Sequence, residues 1–422
     1  MAKQEIADVY ANVRDERPGP RGLVLPGASG NGRDDDTAAI QRAIDNAEGK
    51  HVLVPAGQLN TQGVVQPYVI KSPLRFTHEG QRCLFLAGAL LQLESDDARV
   101  EILAPGQHFV GLAIQGGTDQ GERRSAVPDP CLLISGADGL LLEDLSVSGG
   151  AAKTVVRVTG SNGVTIDRGR IFSGGPVVGR TGLEIGEGVR GFGATGLAVD
   201  QHGVGVRFVG TSRAVAFLAS TIEGVCERSI EVMAGAKAHA LSLQAVHMEA
   251  GYVGGGATEF IVVRDGGGLY GAAFRGCIFG AWLEGAATAC IFNIEGEVQG
   301  ASVSGCQHML GPSTHVVWNI SGTVSGVCDA FNYWDGLGPN TGANSAGLVG
   351  IASNFGAVAV TATTLRLDVA KLGFFGVTPV AQPDPYTLGT TALSRDAASG
   401  DVREVLTQLL SDLAALGLVT KA

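Results

Sequence analysis

The chain repeats itself at intervals of about two dozen residues, and few folds accommodate such a repeat. Successive units include CLLISGADGLLLEDLSVSGG from Cys131, VVRVTGSNGVTIDRGRIFSGG from Val155 and GLEIGEGVRGFGATGLAVDQHG from Gly182, and the series continues to His315. Each unit opens with a short apolar or alternating run, turns at Gly or Asn, and continues with two more runs. Short strands at this period predict the coils of a parallel β-helix. An antiparallel sandwich would instead need two-residue hairpin turns and no similarity between units.

The predicted β-helix is right-handed and runs from about His51 to about Ala370. Its first coils, before Cys131, are less regular, and residues 117–130 (GTDQGERRSAVPDP) are predicted to form a loop that leaves the stack. The 64 glycines suit a fold with many tight turns, because Gly adopts positive φ at little cost. Aromatic residues make up only 6% of the chain, so Val, Ile, Leu and Ala must build the core.

An amphipathic segment precedes the first predicted coil. Ile40, Ala43, Ile44 and Ala47 share one face of a helix predicted at 37–48, and Asp34-Asp35-Asp36 stands just before it. Acids at this position accept backbone N–H bonds and suit the positive end of the helix dipole. Because a stack of coils leaves its first core open, the helix is interpreted as a cap. A calcium or catalytic site at the three aspartates is the alternative.

The stretch GRDDDTAAIQRAID followed by HVLVPAG resembles the start of pectate-lyase-like β-helix proteins. That group includes bacterial polysaccharide lyases, polygalacturonase-like hydrolases and many bacteriophage spike proteins. The resemblance covers about 28 residues between 30 and 57 and implies the fold more than the chemistry. It also implies a spike or fibre of a virion, and such spikes are typically homotrimers. We therefore expect a virion-attachment segment at 1–29, a capped β-helix at 30–369 and an association tail at 370–422.

The predicted tail carries a heptad pattern. Its first part, KLGFFGVTPVAQPDPYTLG, is similar to short tails at the ends of phage virion proteins. Its last part has apolar residues spaced 4, 3, 4 and 3 apart, namely Val402, Leu406, Leu409, Leu413 and Leu416. A lone helix of this length is marginal in water, so it must pack on something. Homotrimerisation is the favoured interpretation, and packing against the β-helix is the alternative.

Composition narrows the possible partners. A net charge of −11 without a long basic run argues against nucleic acid, and no long uninterrupted apolar stretch predicts a membrane span. The N-terminus lacks an apolar signal core, so synthesis in a cytosol is expected. The resemblance to bacteriophage spikes implies that this is a bacterial cytoplasm and that the chain is then incorporated into a virion. The seven cysteines lack CxxC spacing and are interpreted as free, buried thiols. No cofactor and no metal are expected.

Candidate chemistry comes from the repeat. Nucleotide loops, GxSxG and HExxH are missing, and of the polygalacturonase pattern only the His-Gly of DQHGVG (200–205) is present. Alignment of the third run of each unit predicts one column containing Ser148, Ser173, Asp200, Glu223 and Glu249. Carboxylates on neighbouring coils would be about 5 Å apart, where mutual repulsion separates their proton affinities. Glu223 and Glu249 are the predicted acid–base pair and Asp200 a third acid, whereas a solvated acidic stripe is the alternative.

Aromatic side chains near coil ends are candidate sugar platforms: Trp282, Trp334, Tyr333 and Tyr252. Each could equally be a packing residue, and Trp318, which alternates into a strand, is predicted to be in the core. Three functions remain open: a virion spike that binds host surface polysaccharide, a depolymerase (lyase or glycosidase) on the same body, and a purely structural capsid or tail decoration protein. The missing hydrolase pattern favours binding over cleavage.

Overall fold

The computed structural model describes residues 10–18, 24–47, 51–116, 128–150, 152–173, 177–250, 259–281, 290–309, 316–334, 341–342, 348–349, 371–372 and 380–381. It contains a right-handed parallel β-solenoid of about nine turns, which confirms the predicted fold class. The chain divides into two units, Met1–Ala359 and Val360–Ala422. Residues 117–127 of the predicted loop and the heptad segment after 401 lie outside the described residues.

The described elements up to residue 116 are one helix and the strands β1 to β11. They are β1 Tyr10–Asn12, β2 Arg17–Pro18, β3 Val24–Leu25, α1 Thr37–Asp45, β4 His51–Val54, β5 Tyr68–Ile70, β6 Leu74–Phe76, β7 Arg82–Phe85, β8 Leu91–Leu93, β9 Val100–Ile102, β10 His108–Val110 and β11 Ala113–Gln115.

The regular coils follow. Their first strands are β12 Leu132–Ser135, β13 Leu141–Ser148, β14 Thr154–Thr159, β15 Thr165–Phe172, β16 Thr181–Ile185, β17 Gly193–Asp200, β18 Val204–Phe208, β19 Thr211–Arg213, β20 Ala216–Leu218, β21 Thr221–Val225, β22 Arg228–Val232, β23 Lys237–His239, β24 Ser242–Gln244, β25 His247–Ala250 and β26 Glu259–Val263. The remaining strands are β27 Gly268–Tyr270, β28 Ala273–Arg275, β29 Ile278–Ala281, β30 Cys290–Ile294, β31 Glu297–Gln299, β32 Ser302–Ser304, β33 Gln307–Met309, β34 Val316–Ile320, β35 Thr323–Ser325, β36 Val327–Ala330, β37 Tyr333–Trp334, β38 Thr341–Gly342, β39 Leu348–Val349, β40 Lys371–Leu372 and β41 Val380–Ala381.

Three parallel sheets form the faces of the solenoid. The first has 21 strands and includes β17, β21, β25, β29, β33 and β37; the second has 11 strands from β6 to β38; and the third has five, β19, β23, β27, β31 and β35. Each strand pairs with its counterpart one coil away, so equivalent residues stack in columns about 4.8 Å apart. A single residue position therefore repeats along one face of the molecule.

The corners between strands repeat as well. Ala219, Ala245, Gly276, Gly305 and Phe331 each follow the paired strand ends of β20, β24, β28, β32 and β36, and all five have positive φ. Because Gly and small residues adopt this left-handed conformation most readily, the glycine-rich composition follows from the geometry of the corners.

The core is a column of apolar side chains inside the coils. Its aromatic members concentrate in later coils, where Phe292 stacks on Trp318 with ring centroids 4.1 Å apart and packs edge-on against Phe279. Trp318 is buried, as predicted. Six cysteines are also buried, whereas Cys328 is exposed, which corrects the expectation of seven buried thiols. Its strand, β36, alternates so that Val327 and Asp329 point inward and Cys328 outward.

Helix α1 covers the first coils, as the sequence predicted. Ile40, Ala43, Ile44 and Ala47 are all buried. The Thr37 hydroxyl accepts a hydrogen bond from the Lys71 backbone N–H. The helix ends at Asp45 rather than at 48, because the Asn46 side chain turns back and donates to the Arg42 carbonyl at 2.8 Å.

The three aspartates before α1 have separate structural partners. Asp35 accepts hydrogen bonds from the Thr37 backbone N–H and hydroxyl, at 3.0 and 2.5 Å. Asp36 is buried and accepts from the Ser29 and Gly30 backbone N–H groups, while Asp34 accepts from the Asn31 amide. Asp36 is the N-cap residue, but its side chain makes no hydrogen bond to the helix; the carboxylate that accepts from the first helical N–H group, that of Thr37, belongs to Asp35.

The segment before the helix contributes to the solenoid. Strand β1 pairs in parallel with β4, Tyr10 opposite His51, and Val13 beyond it is buried. The proposed attachment role of residues 1–29 stays a prediction. In the second unit, β40 and β41 form an antiparallel pair. Among the described residues, no helix has the length and apolar character needed to cross a membrane.

Candidate functional site

Ligand-type side chains meet on the outer face of the 21-strand sheet. Asp200, at the end of β17, pairs in register with Glu223 of β21, and Ile222 beside it pairs with Met248 of β25. One oxygen each of Glu223 and Glu249 and one ring nitrogen of His247 all lie within 4.8 Å of one another. We call these three residues the Glu–His–Glu cluster. It is half-exposed, and His247 Nδ1 is 3.1 Å from Glu223 Oε1.

A β-bulge positions Glu223. The register between β21 and β25 shifts after Ile222, so that Val225 pairs with Ala250 and two residues of β21 stand opposite one of β25. The extra residue is accommodated by Gly224, whose φ is +61°. Bulges with a left-handed Gly re-aim the neighbouring side chain and are common beside active sites. Here the bulge places the Glu223 carboxylate against the next coil.

Asp200 lies one coil earlier in the same column. Its Oδ2 accepts a hydrogen bond from Arg170 Nε at 2.7 Å, and its side chain is 14% exposed. Its Oδ1 is buried and has no hydrogen-bond partner among the described residues. An arginine thus contacts only one of the two carboxylate oxygens of Asp200.

On the 11-strand sheet, acidic side chains are paired with arginines. Its outer column alternates acids and arginines, with Arg157, Glu184, Arg207 and Glu231 in successive registered strands. Glu231 is 2% exposed and accepts from Arg207 and Arg264 at 2.9 and 3.0 Å. In the described part of the chain, by contrast, neither Glu223 nor Glu249 has a Lys or Arg within 4 Å; the ion-pair partner of Glu223 is His247. Within the described ranges, the Glu–His–Glu cluster is therefore a place where stacked carboxylates lack arginine partners.

Exposed aromatics lie further along the same sheet. Tyr333 belongs to the column Thr221, His247, Ile278, Gln307, Tyr333 and is 48% exposed. It is three strands beyond His247, about 14 Å along the axis. Phe331 is 69% exposed and has φ +60°, a conformation in which a bulky side chain is unusual.

The sequence did not single out His247 or Phe331. The alternation of exposed Phe331 and Tyr333 with buried Asn332 and Trp334 is readable in FNYW, but the left-handed corner under Phe331 appears only with the coil register.

Other predicted site residues fall elsewhere. Trp334 is 1% exposed and packs on Phe279 with centroids 6.1 Å apart, so its ring offers no face to a sugar. Trp282 and Tyr252 lie outside the described residues and stay predictions. Ser173 is one residue out of the predicted column, because Phe172 pairs with both Ser148 and Asp200.

His202, from the DQHGVG stretch, is fully buried rather than in a surface groove. Its Nε2 is 3.2 Å from the Ile171 carbonyl oxygen. Burial lowers the pKa of His202 to about 4, since the charged imidazolium is poorly solvated there; the Ile171 carbonyl opposes this shift and Arg180 adds to it. His202 is thus a neutral core residue in the folded chain near pH 7.

No protein-family model matches the chain, and no curated protein matches it. Among solved structures, a tailspike protein mutant of E. coli bacteriophage HK620 aligns with a TM-score of 0.62 and 11% identity, over 84% of this chain and 67% of that chain. A second mutant of that tailspike, in complex with hexasaccharide, aligns at 0.54 with 12% identity, over 84% of this chain and 65% of that chain.

Polygalacturonase from Erwinia carotovora ssp. carotovora aligns at 0.53 with 10% identity, over 80% of this chain and 99% of that chain. The chain spans 62% of the length of another similar structure, Geobacillus virus E2 ORF18, at a TM-score of 0.39. The likenesses to the HK620 tailspike and to the polygalacturonase, all with TM-scores above 0.5, show a shared fold: the chain is a right-handed parallel β-helix of the architecture found in phage tailspikes and a pectate-lyase-like polygalacturonase. The resemblance predicted from residues 30–57 is confirmed at that level.

Proposed function

We propose that the chain is a virion spike of a bacteriophage that binds host surface polysaccharide along the outer face of its 21-strand sheet. The observation that carries the proposal is the exposed pair Phe331 and Tyr333 on that face. Phe331 occupies a left-handed corner that earlier coils fill with Gly, Ala219, Ala245 or the charged residues Asp144 and Arg168, and it brings an aromatic ring to that position. A bulky residue at such a corner is strained and, at 69% exposure, gains little from packing. Binding of a flat, partly apolar partner gives both rings a role.

The face also supplies polar groups for a glycan. The Glu–His–Glu cluster lies about 14 Å from Tyr333 along the axis. Arg275, Ser302 and Ser304 belong to β28 and β32, which precede β29 and β33 in the two coils between them. An extended saccharide on this face would contact aromatic rings at one end and carboxylates at the other. Ring stacking together with hydrogen bonds that sugar hydroxyls donate to carboxylates is suited to sugars, which have both apolar and hydroxyl-bearing faces. The fold shared with a tailspike described in complex with hexasaccharide is consistent with this proposal.

Binding of purified surface polysaccharides from candidate hosts tests the proposal, measured by surface plasmon resonance. Tyr333→Ala and Phe331→Gly should each weaken binding about tenfold, the change that 1.4 kcal/mol at an aromatic anchor produces. Tyr270→Ala, on the 5-strand sheet, is the matched control and should leave affinity unchanged. Equal affinity in all four proteins would exclude this face. Absence of binding to every host glycan would favour a structural decoration protein of a capsid or tail.

Cleavage is the second candidate function. It is favoured by the register of Asp200 with Glu223 and by the approach of Glu223 and Glu249 to within 4.8 Å. Two carboxyl groups about 5 Å apart have the separation of a retaining glycosidase. In this proposal Glu223 and Glu249 form the acid–base pair and Asp200 is a third acid.

New reducing ends and the absorbance of unsaturated uronates would reveal hydrolase or lyase turnover of a bound polysaccharide. Glu223→Gln and Glu249→Gln should each abolish turnover and leave glycan binding intact. Loss of binding together with turnover would instead make the column a binding stripe.

The assembly proposal is a homotrimer held in part by Val402, Leu406, Leu409, Leu413 and Leu416, attached to other virion proteins through residues 1–29. It is supported by the 4-3-4-3 spacing of the apolar residues, which is the spacing of a coiled-coil seam. Synthesis in the bacterial cytoplasm and location in the virion complete the proposal.

A further inference from the structure

The Glu–His–Glu cluster has the dimensions of a metal site. Protein ligands bind Zn²⁺ at about 2.0–2.2 Å, so two ligands on one ion are about 3–3.5 Å apart. His247 Nδ1 and Glu223 Oε1 already have this separation, at 3.1 Å. The third ligand atom, on Glu249, lies within 4.8 Å of both. A modest rotation of one exposed carboxylate would bring all three donors to a common ion.

The negative charge of the Glu–His–Glu cluster also favours a bound cation. Stacking on neighbouring coils brings the Glu223 and Glu249 carboxylates together, and like charges this close repel. The stacked acids of the 11-strand sheet, such as Glu184 and Glu231, each accept hydrogen bonds from arginine. Among the described residues no arginine or lysine forms an ion pair with either cluster carboxylate. A divalent cation supplies the positive charge that the sheet itself provides elsewhere.

The exposure of the Glu–His–Glu cluster and the type of its donor atoms limit which metal ion it can bind. The His247 and Glu223 side chains are 35% and 38% exposed, so an ion can enter and keep solvent or a hydroxyl in its open positions. Two carboxylates without an imidazole would suit Ca²⁺ or Mg²⁺, which prefer oxygen ligands. An imidazole nitrogen instead favours first-row transition metals.

We propose that Glu223, His247 and Glu249 bind one divalent transition-metal ion of the Zn²⁺ class on the outer face of the 21-strand sheet. The site goes beyond glycan binding and does not rest on it. It competes with the acid–base role, because the ion takes the carboxylate oxygens that proton transfer would use. It leaves coordination positions open toward solvent, as sites that polarise a bound water or hydroxyl do.

The full chain, stripped with EDTA and desalted, is titrated with Zn²⁺ by calorimetry and with Co²⁺ by visible absorption. One ion per chain is expected, with Mg²⁺ and Ca²⁺ at least tenfold weaker. His247→Asn and Glu249→Gln should each weaken Zn²⁺ binding at least tenfold. The control His239→Asn changes a half-buried histidine on the 5-strand sheet and should leave Zn²⁺ affinity unchanged.

Circular dichroism melts establish that each variant is folded before titration. No Zn²⁺ or Co²⁺ binding to the folded wild-type chain overturns the proposal. Binding that His247→Asn and Glu249→Gln leave intact also overturns it, since the ion would then lie elsewhere, for example at the exposed thiol of Cys328. Polysaccharide binding is measured separately in EDTA, so the outcome for the metal and the outcome for the glycan are read independently.

Discussion

Acidification should destabilise the β-helix through His202. The side chain is fully buried, and burial lowers the pKa of its imidazole from 6.5 to about 4. The folded chain therefore resists a proton that the unfolded chain accepts. The stability that the neutral form contributes is complete above pH 6.5 and is lost as the pH falls toward 4. For these two pKa values the free energy of unfolding should fall by roughly 2–3 kcal/mol at pH 4.5 relative to pH 7.5.

Urea unfolding followed by circular dichroism at pH 7.5 and 4.5 measures this change. Carboxylates titrate over the same interval, so the informative quantity is the difference between the wild type and His202→Gln. The variant should lose roughly 2–3 kcal/mol less on acidification. His78→Gln, at a half-exposed position, is the control and should behave as the wild type. Equal losses in the wild type and His202→Gln would refute the reasoning.

A second measurement covers the case in which His202→Gln does not fold. In ¹³C-labelled wild-type chain, the His202 imidazole should keep the chemical shift of the neutral ring from pH 8 down to about pH 5, because its pKa is near 4. A His202 midpoint near 6.5 would show that the burial does not act on its protonation.

Three further predictions concern the 11-strand sheet, the cap and the tail. Glu231→Gln should lower the free energy of unfolding by about 3 kcal/mol, because it removes a buried carboxylate from half-buried Arg207 and Arg264. The exposed Asp144→Asn should change it by less than about 1 kcal/mol, and equal urea midpoints would argue against the network around Glu231. Ile44→Asp buries an unpaired charge under the cap and should cost several kcal/mol; an unchanged melting temperature would contradict the capping role. Leu409→Glu should lower the oligomeric state seen by light scattering, and a monomeric wild-type chain would rule out the trimer.

The fold was predictable because a repeat constrains every coil at once. One register relation places Asp200 opposite Glu223, and the alignment of the third run found that relation from the sequence. It failed by one residue at Ser173, because Phe172 and not Ser173 is the residue of β15 in register with Ser148 and Asp200.

The site was harder to predict than the fold. His247 lies two residues before Glu249, on the same side of β25, and its contact with Glu223 becomes visible only once Thr221 is known to pair with His247. Trp334 looked like a surface aromatic because it ends a coil, yet its alternation with exposed Tyr333 turns it inward. Side-chain direction at coil ends is therefore set by local register, which composition does not reveal.

Hydroxyl-radical footprinting with and without a bound polysaccharide tests the central claim most directly. The glycan is the host surface fraction that the wild-type chain retains, and oxidation is read residue by residue by mass spectrometry. The account predicts that the glycan protects Phe331 and Tyr333 on the 21-strand sheet, while Tyr270 on the 5-strand sheet is oxidised equally in both samples. Protection of Tyr270, with Phe331 and Tyr333 oxidised as in the free chain, would contradict the proposed binding face.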